Sequence, residues 1–169
     1  PSKAKALILR NNGIKTRYYA LDKNGNFTHT NAQITAKAVE GLFDENFQKD
    51  DLQVLSCGTT SADQIQPSHA SMVHGELKPS HSIEVNTSMG LCNSGMNALN
   101  YAYLSVKAGA SKNAVATGSE RFSAWMTADK FNHEVENLKL LEEKPIVAFK
   151  REFLRWMLSD GSGAFLLEN

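Results

Sequence analysis

Ile83-Glu84-Val85-Asn86-Thr87-Ser88-Met89-Gly90-Leu91-Cys92-Asn93-Ser94-Gly95-Met96 carries one cysteine out of a short strand and into a long helix. Ile83 and Val85 alternate on one face, the signature of a strand over His81–Asn86. Gly90 and Gly95 permit a tight reversal. Beyond them Met96, Leu99, Tyr103 and Val106 recur at spacings of three and four, which predicts a helix over Asn93–Ala108, closed by Gly109. Cys92 is then expected at the helix's first turn. Backbone N–H groups there lack intrahelical partners, and the helix dipole adds partial positive charge. Both effects favour thiolate over thiol, and the same N–H groups suit an oxyanion. An inert, packed cysteine is the competing reading from spacing alone. Cys57, at the end of an apolar strand with no helix start beside it, reads as packing.

Outward from this stretch, short strands are expected at Gln53–Cys57, Asn113–Thr117 and Ala164–Leu167. Helices are expected at Asn31–Phe43, with Asn31 as cap, and at Pro67–Glu76, with Pro at its start. Strands alternating with helices predict a layered α/β domain with a mainly parallel sheet. Asp129–Lys150 is rich in Glu and Lys and reads as a solvated helical excursion.

The chain has 169 residues, 41% hydrophobic and 21% charged, with a formal net charge of +0. These values suit one soluble domain and give no basic field for nucleic acid or a membrane surface. No apolar run is long enough to span a bilayer as a helix. The chain begins at Pro1, and reads as a piece of a longer protein. Two cysteines do not make a secreted disulfide scaffold, so free thiols in the cytoplasm are expected. His69 and His74 are five apart and His74 and His81 straddle Pro79, so no metal site is expected. Gly161 and Gly163 read as a tight turn into a strand rather than a phosphate loop. Glu120 reads as a partner of a backbone amide or a basic residue in preference to a catalytic carboxylate. Phe122, Trp125, Met126 and Trp156 read as core packing in preference to an acyl tunnel.

Four blocks in order then resemble the type III β-ketoacyl-acyl-carrier-protein synthases of the thiolase superfamily. They are Gly13-Ile14-Lys15-Thr16-Arg17; Cys57-Gly58-Thr59-Thr60-Ser61 with Gln66-Pro67-Ser68; Leu91-Cys92-Asn93-Ser94-Gly95 with Asn113–Glu120; and Ser159-Asp160-Gly161-Ser162-Gly163-Ala164. The resemblance runs from Gly13 to about Glu168. It implies a thiolase-like N-terminal half over 1–169, a layered mixed sheet packed by helices, interrupted by the excursion at about 129–150. The family's first core strand and its second half have no match here.

The resemblance implies that Cys92 is the catalytic nucleophile. It would take an acyl group from acyl-coenzyme A or an acyl carrier protein. A malonyl thioester would then lose carbon dioxide, and its carbanion would attack the bound acyl group. The family's catalytic His and Asn belong to the second half, beyond Asn169. None of His29, His69, His74, His81 or His133 falls in a matching block, so this chain by itself is expected to be acylated without completing the condensation. No bound cofactor is implied. A homodimer pairing through His81–Asn86 is implied, as is a C-terminal half, and an apolar face left for that half predicts self-association. Leu7 stands where many relatives carry an adenine-stacking Trp and Asn11 where they carry a basic residue, and these two departures favour a carrier-protein donor. Leu91 is a separate departure, standing where Ala commonly precedes the nucleophile. The competing functions are a non-catalytic dimerisation or chain-length subunit, and another thiolase-superfamily condensing enzyme.

Overall fold

The computed structural model describes residues 9–127, 140, 143–144 and 157–169. Leu7, His133, Trp156 and nearly all of the excursion at 129–150 lie outside them. The chain divides into two compact units, one of residues 20–121 and 161–169, the other of residues 1–19 and 122–160.

The first unit holds a mixed four-stranded sheet. Its strands are β1 (Val54–Thr59), β2 (Glu84–Met89), β3 (Asn113–Glu120) and β4 (Gly161–Glu168), in the order β2-β1-β3-β4. β1 runs parallel to β2 and β3, and β4 closes the far edge antiparallel to β3. β1 is buried along its whole length, as a strand covered on both faces must be. Its side chains alternate between two apolar layers. Leu55 and Cys57, with Val115 of β3, meet helices α1 (Asn31–Glu40) and α2 (His69–Leu77) through Ala32, Ala36, Val39, Ala70, Val73 and Leu77. Val54, with Ala114 and Ala116, meets helix α3 (Ser94–Lys107) through Ala102 and Val106.

This is the layered α/β arrangement, a mixed sheet packed by helices, expected from the sequence. The strands end later than their apolar runs do, because the polar ends Gly58-Thr59, Thr87-Ser88-Met89 and Gly118–Glu120 stay in register. Gly161 and Gly163 lie inside β4, so the expected tight turn is extended strand instead.

Three helical readings need correction. Helix α2 starts at His69 behind its cap Ser68, whose hydroxyl accepts the Ser71 N–H, so Pro67 precedes the cap instead of opening the helix. The cap of α1 is Thr30, not Asn31. Its hydroxyl accepts the Gln33 N–H while the Gln33 side chain accepts the Thr30 N–H, a reciprocal capping box. Asn31 is instead buried, donating to Thr59 Oγ1 and Ser61 O. In α3 the buried stripe is Ser94, Ala98, Ala102 and Val106, whereas Met96 and Tyr103 are exposed. Small residues face the sheet because backbone meets backbone there. A Cβ on Gly58 would lie 2.3 Å from the Ser94 carbonyl oxygen, and one on Gly95 would lie 3.4 Å from Gly118 Cα.

In the second unit, Tyr18 N donates to Ser159 Oγ (2.8 Å), and Ser123 N donates to the Asp160 carboxylate (2.8 Å). Trp125 packs edge-on against Phe122 in a short 3-10 turn, yet it is 51% exposed, so the core-packing reading fails for it.

Candidate active site

The parallel strands β2, β1 and β3 end together at Met89, Thr59 and Glu120, and α3 begins above them. Ligands in open α/β sheets bind at this carboxyl edge. Residues 90–93 cross from β2 to α3. The Ser94 N–H donates to the Leu91 carbonyl (3.1 Å), closing a four-residue turn with Cys92 and Asn93 at its centre. Ser94 Oγ donates to the same oxygen at 2.8 Å, and Thr60 Oγ1 at 3.3 Å. Three donors from two segments thus converge on the carbonyl that precedes Cys92.

Cys92 is a free, exposed thiol. It stands just ahead of Asn93, the N-cap of α3, rather than in the helix's first turn as the sequence suggested. Asn93 makes no side-chain cap hydrogen bond. The first N–H of α3, that of Ser94, is held by the Leu91 carbonyl instead. Cys57 is the opposite case. It is fully buried in the first apolar layer, and burial pushes its thiol up to about 12. Its reading as packing holds.

Glu120 organises the adjoining loop. Its carboxylate accepts the N–H of Thr60 (2.8 Å), the N–H of Ser61 (3.0 Å) and the Ser61 hydroxyl (2.5 Å). This is the amide-pairing role expected of it. Arg121 donates its N–H to Ser61 Oγ (2.7 Å), and its guanidinium pairs with Asp63 (3.0 Å). Asp63 in turn accepts the first N–H groups of α1 from Asn31 and Ala32, each at 2.9 Å. Sequence reasoning missed Thr60, Ser94 and Asp63 as supports of this edge. The Thr-Thr-Ser block was visible, but its partners lie tens of residues away.

His69 is buried in the layer beneath, its Nε2 within 3.1 Å of Ser119 Oγ and 3.3 Å of Thr35 Oγ1. Burial holds its imidazole below the ordinary value, while the carboxylates of Asp63 and Glu120 pull the other way. The unfolded chain therefore takes up this proton at a higher pH than the folded one. Stability from His69 is present in full above pH 6.5 and is lost as pH falls below it. Urea midpoints measured across this range should fall on acidification, and fall less in His69→Gln. An equal fall in both would assign the effect elsewhere. Among the described residues no group of three or more His, Cys, Asp or Glu side chains is placed to hold a metal ion. None of their helices is long and apolar enough to cross a membrane.

No family profile matches the chain. A β-ketoacyl-acyl-carrier-protein synthase III of Thiobacillus denitrificans is 31% identical over 116 residues, which are 69% of this chain and 35% of that protein. A tetronic acid condensing enzyme superposes on 98% of this chain and 46% of its own, at 22% identity and a TM-score of 0.74. The 3-oxoacyl-acyl-carrier-protein synthase III of Aquifex aeolicus covers 93% of this chain and 42% of its own, at 21% identity and a TM-score of 0.66. The chain thus spans about a third of the curated relative and less than half of either structure. The resemblance read from the four motif blocks is borne out, and the fold is that of the thiolase-like condensing enzymes.

Proposed function

We propose that this chain, similar to the ketoacyl synthase III enzymes in sequence and thiolase-like in fold, is the nucleophile-bearing half of an acyl-thioester condensing enzyme in fatty acid or related synthesis. Cys92 is its acyl acceptor. The observation that carries this reading is an exposed thiol at the carboxyl edge of a parallel sheet, in a turn pinned through the Leu91 carbonyl just before a helix start.

In this reading the Cys92 sulfur attacks the carbonyl carbon of an acyl thioester. The C–S bond to coenzyme A or carrier protein breaks, and that thiol leaves with a proton. Backbone N–H groups beside Cys92, other than that of Ser94, which the Leu91 carbonyl holds, stabilise the oxyanion that forms on the way. The covalent step divides one difficult reaction into two. In the second, a malonyl thioester loses carbon dioxide. Its carbanion attacks the Cys92 thioester, releasing the Cys92 thiolate and a 3-oxoacyl thioester. The His and Asn that relatives use for that step belong to the second half.

The partners are part of the same proposal. Among the described residues β2 is an edge strand, exposed at Glu84, Val85 and Met89, which suits pairing with a second copy. Met96, Tyr103 and Leu104 of α3 are exposed, which suits cover by the C-terminal half. The setting is cytoplasmic, consistent with two free thiols.

The test is direct. The folded protein is incubated with an acyl-coenzyme A and, separately, with an acyl carrier protein, and its intact mass is measured. An acyl mass increment that maps to the peptide holding Cys92 is expected. A folded sample that gains no acyl group from either donor would favour a non-catalytic dimerisation or chain-length subunit.

A further inference from the structure

The Leu91 carbonyl takes two of its donors from Ser94, inside its own turn. Its third comes from outside the β2–α3 crossing, from Thr60 at the end of β1. Thr60 does not stand loosely. The Glu120 carboxylate, at the end of β3, accepts its N–H at 2.8 Å and the Ser61 N–H at 3.0 Å. The Ser61 hydroxyl adds a further donor at 2.5 Å. Ser61 Oγ meanwhile accepts the Arg121 N–H at 2.7 Å, and Arg121 is itself paired to Asp63. A line of hydrogen bonds therefore runs from β3, through the Thr60-Ser61 main chain, to the peptide that carries Cys92.

We infer that Thr60 is a positioning residue for Cys92, tethering the nucleophile turn to β1 and β3, and that Glu120 acts through it. The inference rests on the reading of Cys92 as the acyl acceptor and adds to it the device that fixes the sulfur's place. Without the Thr60 hydroxyl the turn keeps its internal bonds from Ser94, but it is free to shift relative to the sheet edge. Acyl transfer requires the sulfur and the oxyanion donors to hold one mutual geometry, so small displacements are costly. Alkylation by a small reagent requires only an accessible thiol.

The variants are Thr60→Val, which removes the hydroxyl at nearly constant shape, Thr60→Ser, which restores it, and Glu120→Gln, which replaces the accepting carboxylate. Two readouts are taken on each folded protein. One is the rate of Cys92 acylation by acyl-coenzyme A beside its rate of alkylation by iodoacetamide. The other is amide hydrogen exchange of the peptide covering residues 90–96. The Thr60 bond, at 3.3 Å, is longer than a tight O–H···O contact, and its loss corresponds to an effect of about threefold to fivefold. Thr60→Val should therefore acylate about threefold to fivefold more slowly and exchange faster at 90–96, with its alkylation rate within about twofold of the parent. Thr60→Ser should recover both properties. Glu120→Gln should follow Thr60→Val, and adding Thr60→Ser to it should not rescue it.

Parental acylation and parental exchange in Thr60→Val overturn the inference. A parent protein that takes no acyl group overturns the acyl-acceptor reading alone. In that event faster exchange at 90–96 in Thr60→Val upholds the tether, and unchanged exchange overturns it.

Discussion

Gly58→Ala should cost this protein about 3 kcal/mol or more, at the upper end of what overpacking does. A methyl group at position 58 would lie 2.3 Å from the Ser94 carbonyl oxygen, 2.4 Å from its carbon and 2.6 Å from the Gly95 nitrogen. All three are main-chain atoms at the start of a helix. No rotamer change can relieve the clash, so α3 must lift from β1. Ser94 and Ala98 would then lose the close contact that buries them. In a chain of this size the melting temperature should drop by roughly 6–12 °C. Gly118→Ala is the control. Its methyl group would meet Gly95 Cα at 3.6 Å, an ordinary contact, and should change stability by less than about 1 kcal/mol. Thermal unfolding of the two variants beside the parent makes the comparison. Equal melting temperatures for Gly58→Ala and the parent would mean that α3 is not seated on β1 as described. Because Ser94 also closes the turn around Cys92, Gly58→Ala should disturb the thiol's surroundings along with the fold.

The second large effect separates the two cysteines. Cys92→Ala should abolish the acyl adduct outright while shifting stability by less than about 0.5 kcal/mol, since the side chain is exposed. Cys57→Ala should do the reverse. It leaves a small cavity between β1 and its covering helices, costing about 1–2 kcal/mol, and keeps the adduct. Iodoacetamide should mark Cys92 alone in the native protein, because burial both hides the Cys57 sulfur and holds it as a thiol. Intact-mass measurement and urea unfolding of the two variants check both halves. An adduct that survives Cys92→Ala and disappears in Cys57→Ala would reverse the assignment.

The strands and the layered architecture were legible because apolar runs of strand length punctuated by Gly and polar residues need no partner information to be recognised. The face of α3 was not. Its periodic large residues, Met96 and Tyr103, suggested a buried stripe, yet the helix turns its serine and alanines inward. That choice is dictated by Gly58 and Gly118 on the opposing strands, and one helix read alone carries no record of them. The cap of α1 was misread by one residue because Asn is as good a cap as Thr, and what decides is Gln33 reaching back to Thr30. Position 92 stood out through its neighbours, Gly90 and a helix start. The support beneath it, Glu120 to Thr60 to Leu91, joins residues about sixty and thirty positions apart, and no local pattern announces such a chain of contacts.

The Leu91 side chain is 75% exposed, and the turn is held through this residue's carbonyl oxygen. A change of side chain at position 91 therefore leaves the main-chain bonds of the turn in place. That position is also a natural anchorage for an introduced reporter group: a probe attached there would stand one residue from the sulfur and leave the main-chain bonds that orient it untouched.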